Sequence, residues 1–227
     1  MTPQDFIKAN AALTAPPLVP EIKLHLATEV VPLWRATEEE LAEIGVPPPY
    51  WAFAWAGGQA LARYILDNPT TVAAAHVLDL GSGSGLTAIA AMRAGAAHVL
   101  AADIDALALA AIALNAAANA VAVEATREDL LAGAPGRFDI VLVGDLFYER
   151  TLAERVLAFI EAASANGSEI LVGDPRRSYF PKDRFRQVAE YAVPVTRELE
   201  DAEIKRTAVW RLSLSPSFTS MRSMASP

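Results

Sequence analysis

No cysteine occurs anywhere in the chain, and histidine appears only as His25, His76 and His98. The first absence removes disulfides and thiolate metal sites. The second leaves no spacing that suits zinc, so metal catalysis is not expected. Basic residues are also scarce: 19 Lys and Arg against 27 Asp and Glu give a net charge of -8 and a pI near 4.9. Nonspecific nucleic-acid binding needs clustered positive charge, so nucleic acid is not an expected partner, whereas a lysine-rich protein is compatible. No apolar run has the length of a membrane span. In the N-terminal MTPQDFIKANAAL, Asp5 and Lys8 interrupt any signal-peptide core, and the segment is not Arg-rich and acid-poor as transit peptides are. A cytoplasmic address is expected. The 227 residues, 53% hydrophobic with much alanine and 20% charged, suit one sizeable soluble α/β domain with an extension.

What the chain does have is concentrated between His76 and Asp105. An apolar run through Val77, Leu78 and Leu80 leads into Gly81, Gly83 and Gly85. A helical pattern then runs through Met92 to a stop at Gly95. A second strand, His98 to Ala102, delivers Asp103 and Asp105 about twenty residues past the glycines. Glycines allow positive φ and close approach to a ligand, the helix start offers free N–H groups, and an acid ending the next strand can accept both hydroxyls of a ribose. A dinucleotide fingerprint would read GxGxxG; here the spacing is Gly81, Gly83, Gly85, preceded by Asp79. That acid would repel a pyrophosphate and could bind an ammonium. The pattern D-x-G-x-G-x-G resembles motif I of the class I, seven-strand S-adenosylmethionine methyltransferases. Asp79 could instead cap a turn, Asp103 could start the following helix, and Asp105 reads as that helix cap.

Along the rest of the chain, Thr2-Pro3 predicts a short helix over 4–12, Ile22 to Leu26 an extended strand, and Thr37 with Glu40 a capped helix ending at Gly45. Tyr50, Trp51, Phe53 and Trp55 follow Pro47-Pro48-Pro49 and precede Gly57-Gly58-Gln59 and an amphipathic helix to Leu66. Such aromatic density either lines a pocket or anchors the extension. A helix over 106–120, a third strand over 121–125 and acids at Glu128 and Asp129 come next. The run FDIVLV, 138–143, reads as a buried parallel strand ending in Gly144-Asp145-Leu146-Phe147-Tyr148. Ligands sit beyond the carboxyl ends of parallel strands, which sends Asp145 and Tyr148 to the crevice of Gly81 to Gly85. A helix over 149–165, a buried strand over 169–172, a helix around 183–191 and a hairpin of 192–199 with 204–214 complete the expectation. Residues 215–227 read as a disordered tail.

PPPYWAFAWAGGQALARYILDNP, VLDLGSGSG, GDLFYE and GDPRRSYFP, in this order, resemble the electron transfer flavoprotein beta-subunit lysine methyltransferase family, particularly its bacterial members. The likeness runs from about residue 18 to residue 212. Trp55-Ala56-Gly57 departs from it, since many members carry proline after the tryptophan. The resemblance implies a Rossmann-like α/β fold with a seven-strand sheet, a terminal antiparallel hairpin and an N-terminal extension over 1–55, the methyltransferase domain occupying 56–214. It implies S-adenosylmethionine as cofactor, held by Asp79, Gly81, Gly83, Asp103 and Asp129, with Glu128 as the alternative at adenine and Trp55, Gln59 and Asp145 as further members. It implies Asp145 and Tyr148 as the catalytic pair, with Asp145 accepting a hydrogen bond from the amine, and methylation of lysines on the flavoprotein's beta subunit. Arg176, Arg177 and Tyr179 either contact that protein or are solvated surface. A monomer is expected. Two other readings stay open: a class I methyltransferase acting on another protein or a small molecule, and a noncatalytic S-adenosylmethionine-binding module.

Overall fold

The computed structural model describes residues 2–27, 48–195 and 203–213. The expected helix at 37–45 and the tail beyond 214 lie outside them. Helix α1 (Pro3–Asn10) starts at Thr2, whose hydroxyl accepts from the Asp5 N–H while the Asp5 carboxylate accepts from the Thr2 N–H. It is shorter than expected, because Ala11–Thr14 leaves the helix as strand β1 and pairs antiparallel with β2 (Leu24–Ala27). The backbone groups of Ala11–Thr14, which leave the helix, are thus satisfied by a two-stranded ribbon.

The main sheet follows from the apolar runs. Strands β3 (His76–Leu80), β4 (His98–Ala102), β5 (Glu124–Thr126), β6 (Ile140–Gly144) and β7 (Glu169–Asp174) pair in parallel. They are joined by α2 (Ala56–Asp67), which precedes β3, and by α3 (Leu86–Arg93), α4 (Ala106–Ala118) and α5 (Arg150–Ala165). Strands β8 (Phe185–Pro194) and β9 (Ile204–Leu212) close the edge antiparallel, giving the order β5-β4-β3-β6-β7-β9-β8. Alternation then sorts the side chains. Val77, Leu142, Leu171 and Val209 face Leu61 and Ile65 of α2 and Ile89 of α3. Leu78, Val141, Val143, Val172 and Trp210 face Val156 and Ile160 of α5. Each fully buried aliphatic side chain contributes about 1.5–3 kcal/mol, and burial on both faces explains why β6 is apolar from Ile140 to Val143 and β3 at Val77, Leu78 and Leu80.

Two expectations are corrected at this edge and one at the opposite edge. Residues 183–191 are not helical: after a single 3-10 turn at Lys182–Arg184, the chain enters β8, so the hairpin pairs 185–194 with 204–212. A register shift between Gln187 and Ala189 breaks the period-2 pattern midway, which hides a strand from alternation. The third parallel strand spans 124–126 rather than 121–125.

The order reverses at β3 and β6, which lie side by side with β4 and β7 outside them. The crevice at such a switch point is where open α/β sheets place ligands.

Candidate active site

At the carboxyl ends of β3, β4 and β6 lies a cavity of about 550 Å³, within the range of small-molecule sites. Gly81, Gly83, Asp103, Asp129, Asp145, Tyr148 and Trp55 all line it, so the structure brings together seven of the residues singled out from sequence. Asp79 and Gln59 are not among its lining residues.

The glycine turn is built from its own backbone and two acids. Gly81, Gly83 and Gly85 have φ of 66°, 52° and 82°, the left-handed region where a side chain is strained. A Cβ on Gly81 would also stand 2.7 Å from the Leu146 side chain. Asp79, buried, accepts from the hydroxyls of Ser82 and Thr87 at 2.5 Å each and from the Ala88 N–H at 3.1 Å. Its carboxylate therefore braces the turn onto the first turn of α3 from beneath. Burial pushes this carboxyl up to about 6 against the pull of those three donors.

Asp103 accepts from the Gly83 N–H at 2.8 Å and, through its other oxygen, from the Asp105 N–H at 3.0 Å. One lone-pair site per oxygen is left for a diol. Desolvation raises its pKa. Asp105 caps α4 by accepting from the Leu107 N–H, as its sequence position suggests. Asp129 caps a 3-10 turn through the Leu131 N–H and pairs with Arg155 at 2.6 Å. Glu128 lines the cavity beside it.

The aromatic segment forms the opposite wall. Trp51 is buried with Ile7 and with Ala108 and Ala111 of α4, so it anchors the extension. Tyr50, Phe53 and Trp55 line the cavity, so the segment serves both of the roles its sequence allows. Trp55 donates its indole N–H to the Tyr50 carbonyl at 2.9 Å, and the Tyr50 ring lies 6.0 Å from Trp55 and 5.6 Å from Tyr148. Gln59 ties this wall to the extension, donating to the Ala54 carbonyl at 2.6 Å and accepting from the Leu18 N–H at 3.2 Å.

Asp145 is the junction of the site. It is buried, and its backbone takes φ of 58°, a conformation that Asp tolerates better than most residues. One carboxylate oxygen accepts from the N–H groups of Gly57 and Gly58 at the start of α2. The other accepts from Arg177 Nε at 2.9 Å and Nη2 at 2.7 Å. Four donors fill the ordinary capacity of a carboxylate. The expectation that Asp145 accepts a hydrogen bond from a substrate amine therefore meets an acid already engaged within the chain. Gly57 has to be glycine: a Cβ there would stand 2.2 Å from the Gly173 carbonyl oxygen.

Two participants escaped the sequence reading. Arg177, read as substrate contact or solvated surface, is held to Asp145 with only 19% of its side chain exposed, and its guanidinium lies 5.9 Å from the Trp55 ring centre. Asp174, ending β7 as Asp145 ends the sequence GD at 144–145, is fully buried. It accepts from the Arg177 N–H at 2.7 Å, while its Oδ2 has no hydrogen-bond partner among the described residues. Burial, with Asp145 close by, pushes its carboxyl up to about 7. The repeated Gly-Asp at two neighbouring strand ends was the available signal. Arg176 and Tyr179 lie outside the cavity lining; Tyr179 carries Arg150 over its ring at 5.2 Å.

Residues 59–170 match the family model of the ribosomal protein L11 methyltransferase (PrmA). The chain is 38% identical over 213 residues to the electron transfer flavoprotein beta subunit lysine methyltransferase of Rattus norvegicus, covering 90% of this chain and 82% of the rat protein. The Homo sapiens protein of the same name is 36% identical, with 90% and 80% covered. Among solved structures, magnesium protoporphyrin IX methyltransferase (ChlM) from Synechocystis PCC 6803 with bound SAM shares the fold at a TM-score of 0.52 and 17% identity, covering 69% of this chain and 80% of that one. With the glycine turn, the strand-end acids and the aromatic wall all set around one crevice, and relatives this similar over nearly their full lengths, the chain belongs to the electron transfer flavoprotein beta subunit lysine methyltransferase family.

Proposed function

We propose that this protein transfers methyl groups from S-adenosylmethionine to lysine side chains of the electron transfer flavoprotein beta subunit. The observation that carries the reading is the joining, in one cavity, of a glycine turn with a ribose-type acid at one end and an aromatic wall around Asp145 and Tyr148 at the other. The residues fit the cofactor: Asp103 keeps acceptor capacity for two hydroxyls, Gly81 and Gly83 admit close approach, and Asp129 or Glu128 stands where an adenine amino group would be met. When bound, S-adenosylmethionine supplies a methyl group on a positively charged sulfur.

The chain's own residues then have to present a neutral amine to that methyl. Free lysine has a pKa near ~10.4, and an apolar, aromatic-walled site disfavours its ammonium. The ammonium would lose its proton to water, and the bound cofactor would supply its methyl group to the nitrogen lone pair so freed. Tyr50, Tyr148 and Trp55 offer ring faces that guide the amine and stabilise the cation as it forms on nitrogen. Asp145 works as an anchor: it fixes the start of α2 and Arg177 around the acceptor end. Asp79 and Gln59 support the turn and the wall from outside the cavity. A monomer fits a cavity whose described lining residues all come from one chain.

The test is intact-mass analysis and peptide mapping of purified electron transfer flavoprotein beta subunit after incubation with the enzyme and S-adenosylmethionine. Mass gains in steps of one methyl on lysines are expected. Transfer to another lysate protein, with none to the beta subunit, would overturn the substrate.

A further inference from the structure

A carboxylate beside a lysine works against methyl transfer, because negative charge favours the ammonium and the reaction needs the amine. The site described above holds a carboxylate in just that place, yet surrounds it with positive groups. Arg177 makes two bonds to one oxygen of Asp145, and the N-terminal N–H groups of α2 take the other. The guanidinium is held by Asp145 and lies 5.9 Å from the Trp55 ring centre, while the Arg177 backbone N–H donates to Asp174. Arg176 next to it takes φ of 68°, an unfavourable conformation for a residue of this type that persists only where surroundings enforce it.

We propose that Arg177 is a positioning residue which cancels the charge of Asp145 at the acceptor end of the cavity and thereby keeps an entering lysine deprotonated. This rests on the lysine methyltransferase reading. The incoming side chain meets an acceptor end whose Asp145–Arg177 pair carries no net charge, with the positive end of α2 behind it. The neighbouring ionisable groups do not supply this balance. Tyr50 and Tyr148 stand at the wall. Asp103, Asp105, Glu128 and Asp129 follow β4 and β5, Asp129 paired with Arg155. Asp174 stands behind the pair, and burial leaves it only partly ionised near neutral pH. Arg177 is thus the cation that offsets Asp145 among the residues lining the cavity.

The experiment is the pH profile of kcat for methyl transfer at saturating beta subunit, which reports ionisations in the bound complex, measured for the wild type, Arg177→Gln and Arg177→Lys. Removing one unit charge roughly 6–12 Å away, at an effective dielectric of about 20, moves a neighbouring pKa by about 1–2 units. In Arg177→Gln the midpoint of the rising limb is expected to move up by that amount, so a deficit of up to about 10–100-fold below both midpoints narrows toward none as pH rises above them. Arg177→Lys keeps the charge while losing the forked geometry, and its midpoint is expected to stay with the wild type whatever its rate. Calorimetric affinity for S-adenosylmethionine monitors the folded site in each variant and is expected to change less than threefold. An Arg177→Gln midpoint equal to that of the wild type, with a rate lowered equally at every pH, would overturn the proposal and leave Arg177 as a loop staple. A wild type that methylates no lysine of the beta subunit would instead remove the underlying reading, and the proposal with it.

Discussion

Replacing Asp174 by Asn should make the protein more stable at alkaline pH, by an amount that shrinks on acidification. Asp174 is fully buried, with one oxygen on the Arg177 N–H and the other without a partner among the described residues. Its pKa rises from 3.8 to about 7 on folding, so the folded state binds its proton more tightly than the unfolded chain does. The sign follows from linkage. The protonated acid's contribution is fully present below pH 3.8 and is lost as pH rises toward 7, beyond which the cost of the buried charge is constant. Integrating between pH 5.5 and pH 8.5 gives a wild-type loss from this group of about 2 kcal/mol. Asn carries no such dependence, but it sets an amide where the partnerless oxygen was, at a fixed cost of about 1–3 kcal/mol. That cost is the same at both pH values and cancels in the comparison. Urea unfolding of both proteins at pH 5.5, above the pI near 4.9, and at pH 8.5 provides the assay. The stability difference, Asn minus Asp, should be about 2 kcal/mol more positive at pH 8.5. A difference independent of pH would refute the reasoning and show Asp174 to be ionised in the folded protein throughout.

Other perturbations probe the rest of the site. Asp103→Ala removes charge-assisted bonds to a diol, each worth about 1.5–3 kcal/mol, and should weaken S-adenosylmethionine binding at least tenfold by calorimetry; unchanged affinity would take Asp103 out of the cofactor site. In the wild type, burial raises the Asp103 pKa, so protonation competes with binding, and affinity should fall as pH drops through that raised value and level off above it. Gly57→Ala places a methyl 2.2 Å from the Gly173 oxygen and should cost about 1–3 kcal/mol in urea unfolding; wild-type stability would show that α2 can shift freely. Asp145→Ala strands Arg177 and two helix N–H groups and should cost about 3–5 kcal/mol, with methyl transfer lost, whereas a stable variant would deny Asp145 its anchoring role.

The sequence carried the centre of the fold clearly, and for a physical reason. Strands β3 and β6 are covered on both faces, so apart from His76 and Asp79 in β3 and the terminal Gly144 in β6 their positions are apolar, and the run ends where the sheet ends. The glycine turn and Asp103 were equally legible, because their conformations depend on residues only a few positions away. Strand β8 was not: its register shift at Gln187 and Ala189 breaks the alternation on which a strand is recognised. In the site, Asp145 and Tyr148 could be placed from the strand they follow, but the partners of Asp145 could not. They come from Gly57, Gly58 and Arg177, and nothing local to residue 145 names them. Asp79 illustrates the converse, a motif residue whose side chain turns inward to Ser82 and Thr87 and shapes the turn without lining the cavity.

The reach of the Asp145 contacts also constrains when the site can exist. The carboxylate joins residues 88 positions before it with one 32 positions after it, and contacts so far apart in sequence close late in folding. On a chain emerging from the ribosome, the start of α2 and the end of β6 are both made before Arg177 has appeared. Throughout that interval the acceptor end lacks its positive half, so a nascent or truncated chain that has already formed the glycine turn holds a cofactor cradle without a balanced acceptor end. The Asp145–Arg177 pair therefore forms only once the last third of the polypeptide has been made.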